Sequence, residues 1–165
     1  MAEATKTIPH WLNNQVFTGA GSTTSPVTNP ATGAVTGEVL LASVDDARAV
    51  IDAAAAAYPA WRDTSLAKRT QVLFRFRELL NARKEELAAI ITAEHGKVLD
   101  DALGEVTRGL EVVEFACGMP HLLKGSFSEG VSTGINVHSK RQPLGVVGII
   151  SPFNFPAMVP MWMFP

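Results

Sequence analysis

The sequence predicts an α/β fold in which several helices lead into a strand of a parallel sheet. Three observations predict it. Residues 144–151 form an apolar, β-branched run broken only by Gly145 and Gly148, the pattern of a strand buried on both faces. Four upstream segments place their apolar residues at helical spacing. Val131, Thr133, Ile135 and Val137 alternate with Ser132, Gly134, Asn136 and His138, as in a half-exposed strand. In parallel sheets ligands gather beyond the carboxyl ends of the strands. Here the apolar run feeds Ser151-Pro152-Phe153-Asn154-Phe155-Pro156. Pro152 and Pro156 fix φ and lack N–H donors, so the Asn154 amide is expected on a stiff loop at the ligand side.

The elements follow in order. Residues 11–17, around Asn13-Asn14, read as a short extended arm, and Asn29-Pro30-Ala31-Thr32-Gly33 as a turn. Residues 35–41 read as a strand. Ser43-Val44-Asp45-Asp46 has the form of a capping box and opens a first helix. Its Ala47, Val50, Ile51, Ala54, Ala55 and Tyr58 keep helical spacing, and Pro59 is expected to stop it. A second helix carries Leu66, Val72, Leu73, Phe76, Leu79 and Leu80 on one face, with Arg69, Arg75 and Arg77 largely off it. A third, over 83–95, turns Leu87, Ile90 and Ile91 inward and ends at Gly96. The fourth starts near Val98, turns Leu99, Ala102, Leu103, Val106, Leu110, Val113 and Cys117 inward, and breaks at Gly118 and Pro120. Gly125, Gly130 and Gly134 mark a loop-rich linker, and a loop is expected after Ser151.

Composition narrows the function classes. At 165 residues, 47% apolar and 18% charged, the chain is long enough for one domain with a real core. Fourteen basic and sixteen acidic residues leave a net charge of −2, with no block of either sign to attract nucleic acid or anionic lipid. The single cysteine, Cys117, excludes an internal disulfide and suits a reducing compartment. Residues 1–6 contain no apolar signal core, so the cytoplasm is expected. Residues 142–165 carry no charge, but five prolines, at 143, 152, 156, 160 and 165, interrupt them. Each interior proline costs a helix about 3 kcal/mol, and a lone helix in lipid cannot satisfy the freed carbonyls. A membrane span is not expected.

Few residues could carry chemistry. His10, His95, His121 and His138 are scattered without metal-ligand spacing, and no metal site is expected. Cys117 with His121 could suggest a nucleophile and its base. The helix breaks between them, and Cys117 continues an apolar stripe, so an inert packing cysteine is the simpler reading. No glycine-rich dinucleotide fingerprint or phosphate loop is present. Arg108 has Glu105 and Glu111 three residues to either side. A surface ion pair worth a few tenths of a kcal/mol is the simpler reading, and carboxylate recognition by the guanidinium fork is the alternative. Asn154 could likewise be a loop-building residue or a functional amide.

Asn29-Pro30-Ala31-Thr32-Gly33, Ala60-Trp61-Arg62, Arg83-Lys84-Glu85-Glu86-Leu87, Gly96-Lys97 and the 143–156 stretch together resemble the aldehyde dehydrogenase superfamily, collinearly from about Trp11 to Pro165. Phe153 stands where most members have Trp. Residues 108–117 with 156–165 are similar to the CoA-acylating branch, the methylmalonate-semialdehyde dehydrogenases. The resemblance implies the N-terminal part of a larger enzyme whose nucleophilic cysteine lies beyond Pro165. Three parts are implied: an arm and helices of the NAD-binding domain over 1–130, an oligomerisation ribbon strand over 131–142, and the first parallel strand with an oxyanion loop over 143–165. Family members bind NAD without the glycine-rich turn.

The resemblance also implies roles. Asn154 would donate to the oxyanion, Ser151 and Phe153 would contact NAD, and Arg108 would grip the substrate's distal carboxylate, which favours carboxylate recognition over the ion pair. The implied reaction oxidises malonate or methylmalonate semialdehyde with NAD and coenzyme A, giving acetyl-CoA or propionyl-CoA, CO2 and NADH, in a homo-oligomer. A chain ending at Pro165 would lack the nucleophile and be inactive alone. A non-catalytic oligomerisation or binding module is the competing reading. Asn154 separates the two, since a pure interaction module needs no oxyanion donor.

Overall fold

The computed structural model describes residues 6–165. Residues 1–5, most of the stretch read above for a leader, lie outside the described residues. The first strands are β1 (Lys6–Ile8), β2 (His10–Leu12), β3 (Gln15–Phe17), β4 (Thr24–Thr28) and β5 (Val35–Leu40). β1, β5 and β4 form a three-stranded sheet in that order, with β1 parallel and β4 antiparallel to β5. β4 holds Pro26, which an edge strand tolerates because its outer side needs no donor. The expected arm is a tight hairpin of β2 and β3, pairing Leu12 with Gln15. Asn13 and Asn14 both adopt positive φ, 51° and 61°, which a two-residue hairpin loop twisting with its strands requires. The Asn29 turn forms as predicted: its Oδ1 accepts from the Ala31 and Thr32 amides, and Gly33 sits at φ 73°.

Six helices follow: α1 (Val44–Asp63), α2 (Leu66–Ala82), α3 (Lys84–His95), α4 (Leu99–Cys117), α5 (Met119–Leu122) and α6 (Met158–Met163). The capping box at Ser43 is present with both reciprocal bonds. α1 does not stop at Pro59 but runs through it to Asp63. Pro59 removes only the bond to the Ala55 carbonyl, and Ala55 is exposed, so water can donate there instead. α4 is the central helix, packed against α2, α3 and α6. The core joins Leu80, Ala88, Ile91, Ala102, Val106, Leu110, Val113 and Met161. Val72, Leu79, Ile90 and Leu99, expected inward, are exposed. Helical spacing assigns a face, and the described partners cover only part of each face.

Over the last forty residues the single-strand expectation is corrected, and the apolar run stands without a described partner. Residues 131–138 are not one half-exposed strand. They belong to a two-stranded ribbon of β6 (Phe127–Ser132) and β7 (Ile135–His138), turning at Thr133-Gly134 and exposed on both faces. The polar alternation happens to continue across the turn, which hid it. Residues 144–151 join no ladder among the described residues, and Leu144 and Ile150 are each 96% exposed. A buried parallel strand needs a neighbour on each side, and the described residues supply neither. Beyond Ser151 the expected loop runs to Ala157, and residues 158–163 form α6, with Met158, Val159 and Met161 buried against α4.

Candidate functional site

The site begins where α3 ends. Gly96 adopts φ 84°, the left-handed cap that lets the chain reverse sharply, and the next residue, Lys97, enters the turn between α3 and α4. Glu105 lies in the middle of α4, completely buried. Its Oε2 takes Lys97 Nζ at 2.5 Å, and its Oε1 accepts from the Ala157 and Met158 amides at 2.8 and 3.1 Å. Burial pushes the Glu105 carboxyl up, but Lys97 and the two amides outweigh it and hold the group below its usual value. All three partners satisfy a charge that would otherwise be costly to bury.

Asn154 follows from this arrangement. Lys97 Nζ donates to the Asn154 backbone carbonyl at 3.1 Å, an anchor that leaves the side-chain amide uncommitted. Phe155 is half-buried beneath two cations, with Lys97 Nζ 4.5 Å and Arg108 Cζ 5.8 Å from its ring centroid. Lys97, Asp101, Arg108, Asn154 and Phe155 line one cleft of about 350 Å³, the size of a small-molecule site. The structure therefore brings together Arg108 and Asn154, which lie 46 positions apart (154 − 108) in the sequence.

The ion-pair alternative for Arg108 loses its partners. Glu105 is committed to Lys97, and no salt bridge joins Arg108 to Glu111 among the described residues. Ser151 and Phe153 do not line the cleft. Both are exposed just before it, with the Phe153 ring 5.6 Å from that of His95. Cys117 is buried, and burial pushes its thiol up, helped by the nearby Glu114 charge, as suits a packing residue. Among the described residues no cluster could hold a metal ion, and no helix is long and apolar enough to cross a membrane.

Lys97 and Glu105 were not singled out from sequence as a pair. The signal was present: Glu105 falls on the stripe of Ala102, Val106, Gly109, Leu110 and Val113, all buried. A carboxylate on an apolar stripe must find a cation and donors, and the nearest upstream lysine is Lys97.

Comparison with known proteins identifies the family and the fold. The profile of the aldehyde dehydrogenase family matches residues 17–165. Malonate-semialdehyde dehydrogenase of Pseudomonas aeruginosa is 48% identical over 159 residues, 96% of this chain and 32% of that enzyme. The mitochondrial acylating methylmalonate-semialdehyde dehydrogenase of Arabidopsis thaliana is 43% identical over 158 residues, 96% of this chain and 26% of that enzyme. Among solved structures, methylmalonate-semialdehyde dehydrogenase from Oceanimonas doudoroffii superposes with a TM-score of 0.93 at 48% identity, over 96% of this chain and 32% of that one. A Sinorhizobium meliloti protein, provisionally assigned to the same activity and solved with NAD, gives 0.94 at 45%, over 98% and 33%. The chain thus spans between about a quarter and a third of the length of the relatives it matches. Its helices and strands have the mixed α/β architecture of the N-terminal part of that fold. From residue 17 onward, in sequence and in backbone alike, the chain belongs to the aldehyde dehydrogenase family.

Proposed function

We propose that this chain builds the substrate-gripping and oxyanion side of the active site of a CoA-acylating malonate- or methylmalonate-semialdehyde dehydrogenase. The observation that carries the proposal is the cleft shared by Arg108 and Asn154. A semialdehyde of this class has a carboxylate at one end and a carbonyl at the other. Arg108 offers a planar fork that matches the carboxylate in two parallel bonds. Asn154 offers an amide N–H toward the carbonyl, where negative charge grows as a nucleophile attacks. Lys97 is neutralised by Glu105, so Arg108 is the cation left to hold the anionic end. Relatives named for malonate and methylmalonate semialdehyde support that substrate class.

The residues present fit NAD beside this cleft. Phe153 presents an exposed ring and Ser151 an exposed hydroxyl on the segment leading to Asn154, a flat face and a donor for a nicotinamide nucleotide. NAD bound there would accept the hydride released on oxidation. Coenzyme A, as co-substrate, would take the acyl group in place of water. The exposed ribbon, with Phe127, Val131, Ile135 and Val137 uncovered, supports a homo-oligomer formed through β6 and β7. One buried cysteine suits the reducing cytoplasm.

The test is Arg108→Leu in the full-length protein. Charge-assisted hydrogen bonds contribute about 1.5–3 kcal/mol. KM for malonate semialdehyde should therefore rise by about tenfold or more, while propionaldehyde, which has no carboxylate, is scarcely affected. An equal loss on both substrates would remove the carboxylate-binding role.

A further inference from the structure

We infer that Lys97 and Glu105 form a positioning pair that sets where the Asn154 amide stands in the cleft, a role that rests on the reading of Asn154 as oxyanion donor. One carboxylate and one ammonium tie three separate pieces of chain together. Glu105 holds the amides of Ala157 and Met158, the third and fourth residues after Asn154. Lys97 holds the Asn154 carbonyl itself, and its ammonium lies over the adjacent Phe155 ring. The loop is therefore gripped at Asn154 and again at the entry to α6. One grip comes from the α3–α4 turn and the other from within α4, and the two converge on a single, largely buried ion pair.

Stability alone is a poor reason for such a pair. Desolvating two charges offsets most of their attraction, and well-packed apolar residues of the same volume often serve as well. What an apolar pair cannot do is direct hydrogen bonds at three chosen backbone atoms. An oxyanion donor works only when it is preorganised, and a displacement of about 1 Å can cost about a hundredfold in rate. Glu105 also cancels the charge of Lys97, so the clamp can stand beside Arg108 without drawing the substrate carboxylate to the wrong end of the cleft.

The experiment is a mutant cycle in the full-length protein, read by single-turnover NADH formation at saturating NAD, well below each variant's melting midpoint. Lys97→Met combined with Glu105→Gln removes both charges together, so no unpaired charge is buried and folding can be checked by thermal melt. This variant should slow acylation by about tenfold or more, part of the ~10²–10³-fold lost with the donor itself. KM for the semialdehyde should change little, because Arg108 is untouched. Added to Asn154→Ala, the paired change should slow the reaction by no more than about twofold further, since residues acting through one another are not additive. An unchanged acylation rate in the paired variant, or a loss that multiplies fully with that of Asn154→Ala, would overturn the positioning role. If Asn154→Ala alone leaves acylation intact, the oxyanion reading fails and takes this role with it. A slow Asn154→Ala beside a fast paired variant sinks only the positioning role.

Discussion

Asp46 uses one carboxylate to fasten a loop to a helix. It accepts from the Ala20, Gly21 and Ser43 amides and from the Ser43 hydroxyl. The Ala20 amide, then the Ser43 amide and hydroxyl, hold its pKa at about 2, below the ordinary 3.8, against the opposing effect of burial. Because the folded value is the lower one, this contribution is full above the unfolded pKa and fades as pH falls from about 4 towards 2. Asp46→Asn is therefore expected to lower Tm at pH 7, with the gap to wild type narrowing in acid. Melts over a pH series read this, and a pH-independent gap would mean that the charge is irrelevant. The sequence made half of the residue legible: Ser43 and Asp46 showed the capping box, while the bonds from Ala20 and Gly21 cross some 25 positions (46 − 21) and leave no local pattern. The same contrast holds in the cleft. Asn154 stood out by its prolines, whereas Glu105 looked like a surface partner of Arg108 until its burial was seen.

At the scale of elements, α4 and α6 approach closely at Gly109. A Cβ on Gly109 would come within 2.6 Å of Met161 Sδ and 3.3 Å of Met158 Cα. Gly109→Ala gains about 1 kcal/mol of helix propensity, but overpacking a tight contact costs about 1–3 kcal/mol. The methionine tail can turn aside, whereas the Met158 backbone cannot, so the cost should win. A lower Tm is expected, with slower acylation as α6 and its preceding loop shift, and a higher Tm would contradict this contact. Helices were legible because their spacing is local: α2, α3 and α4 begin and end within about two residues of expectation. Strands were less so. β1 is only three residues long, and β4, Thr-Ser-Pro-Val-Thr, has too few bulky apolar residues to show its alternation in sequence. The ribbon's turn hid within a continuing alternation, and the apolar run at 144–151 is strand-like in composition without a described partner to pair it.

Across the whole molecule, the apolar surface marks what the 165 residues leave uncovered. Leu144, Val147 and Ile150 face outward, and an open groove on α2 and α3 is lined by Phe76, Leu79, Leu87 and Ile90. Exposed apolar surface on that scale drives association. A polypeptide of these residues alone is expected to self-associate on size exclusion with light scattering, and a monodisperse monomer would contradict that. It should also form no NADH from malonate semialdehyde and coenzyme A, because its one thiol, Cys117, is buried in the core. Clear turnover would be inconsistent with this. Whether Asn154 and Arg108 share one substrate between them is tested by single-turnover NADH formation in full-length Asn154→Ala at saturating NAD. Acylation should slow by about 10²–10³-fold, the range for losing one oxyanion donor, with the melting midpoint and NAD affinity nearly unchanged. A variant that acylates at the wild-type rate, or that slows only by melting early, would make Asn154 a loop-building residue and leave the cleft without its proposed chemistry.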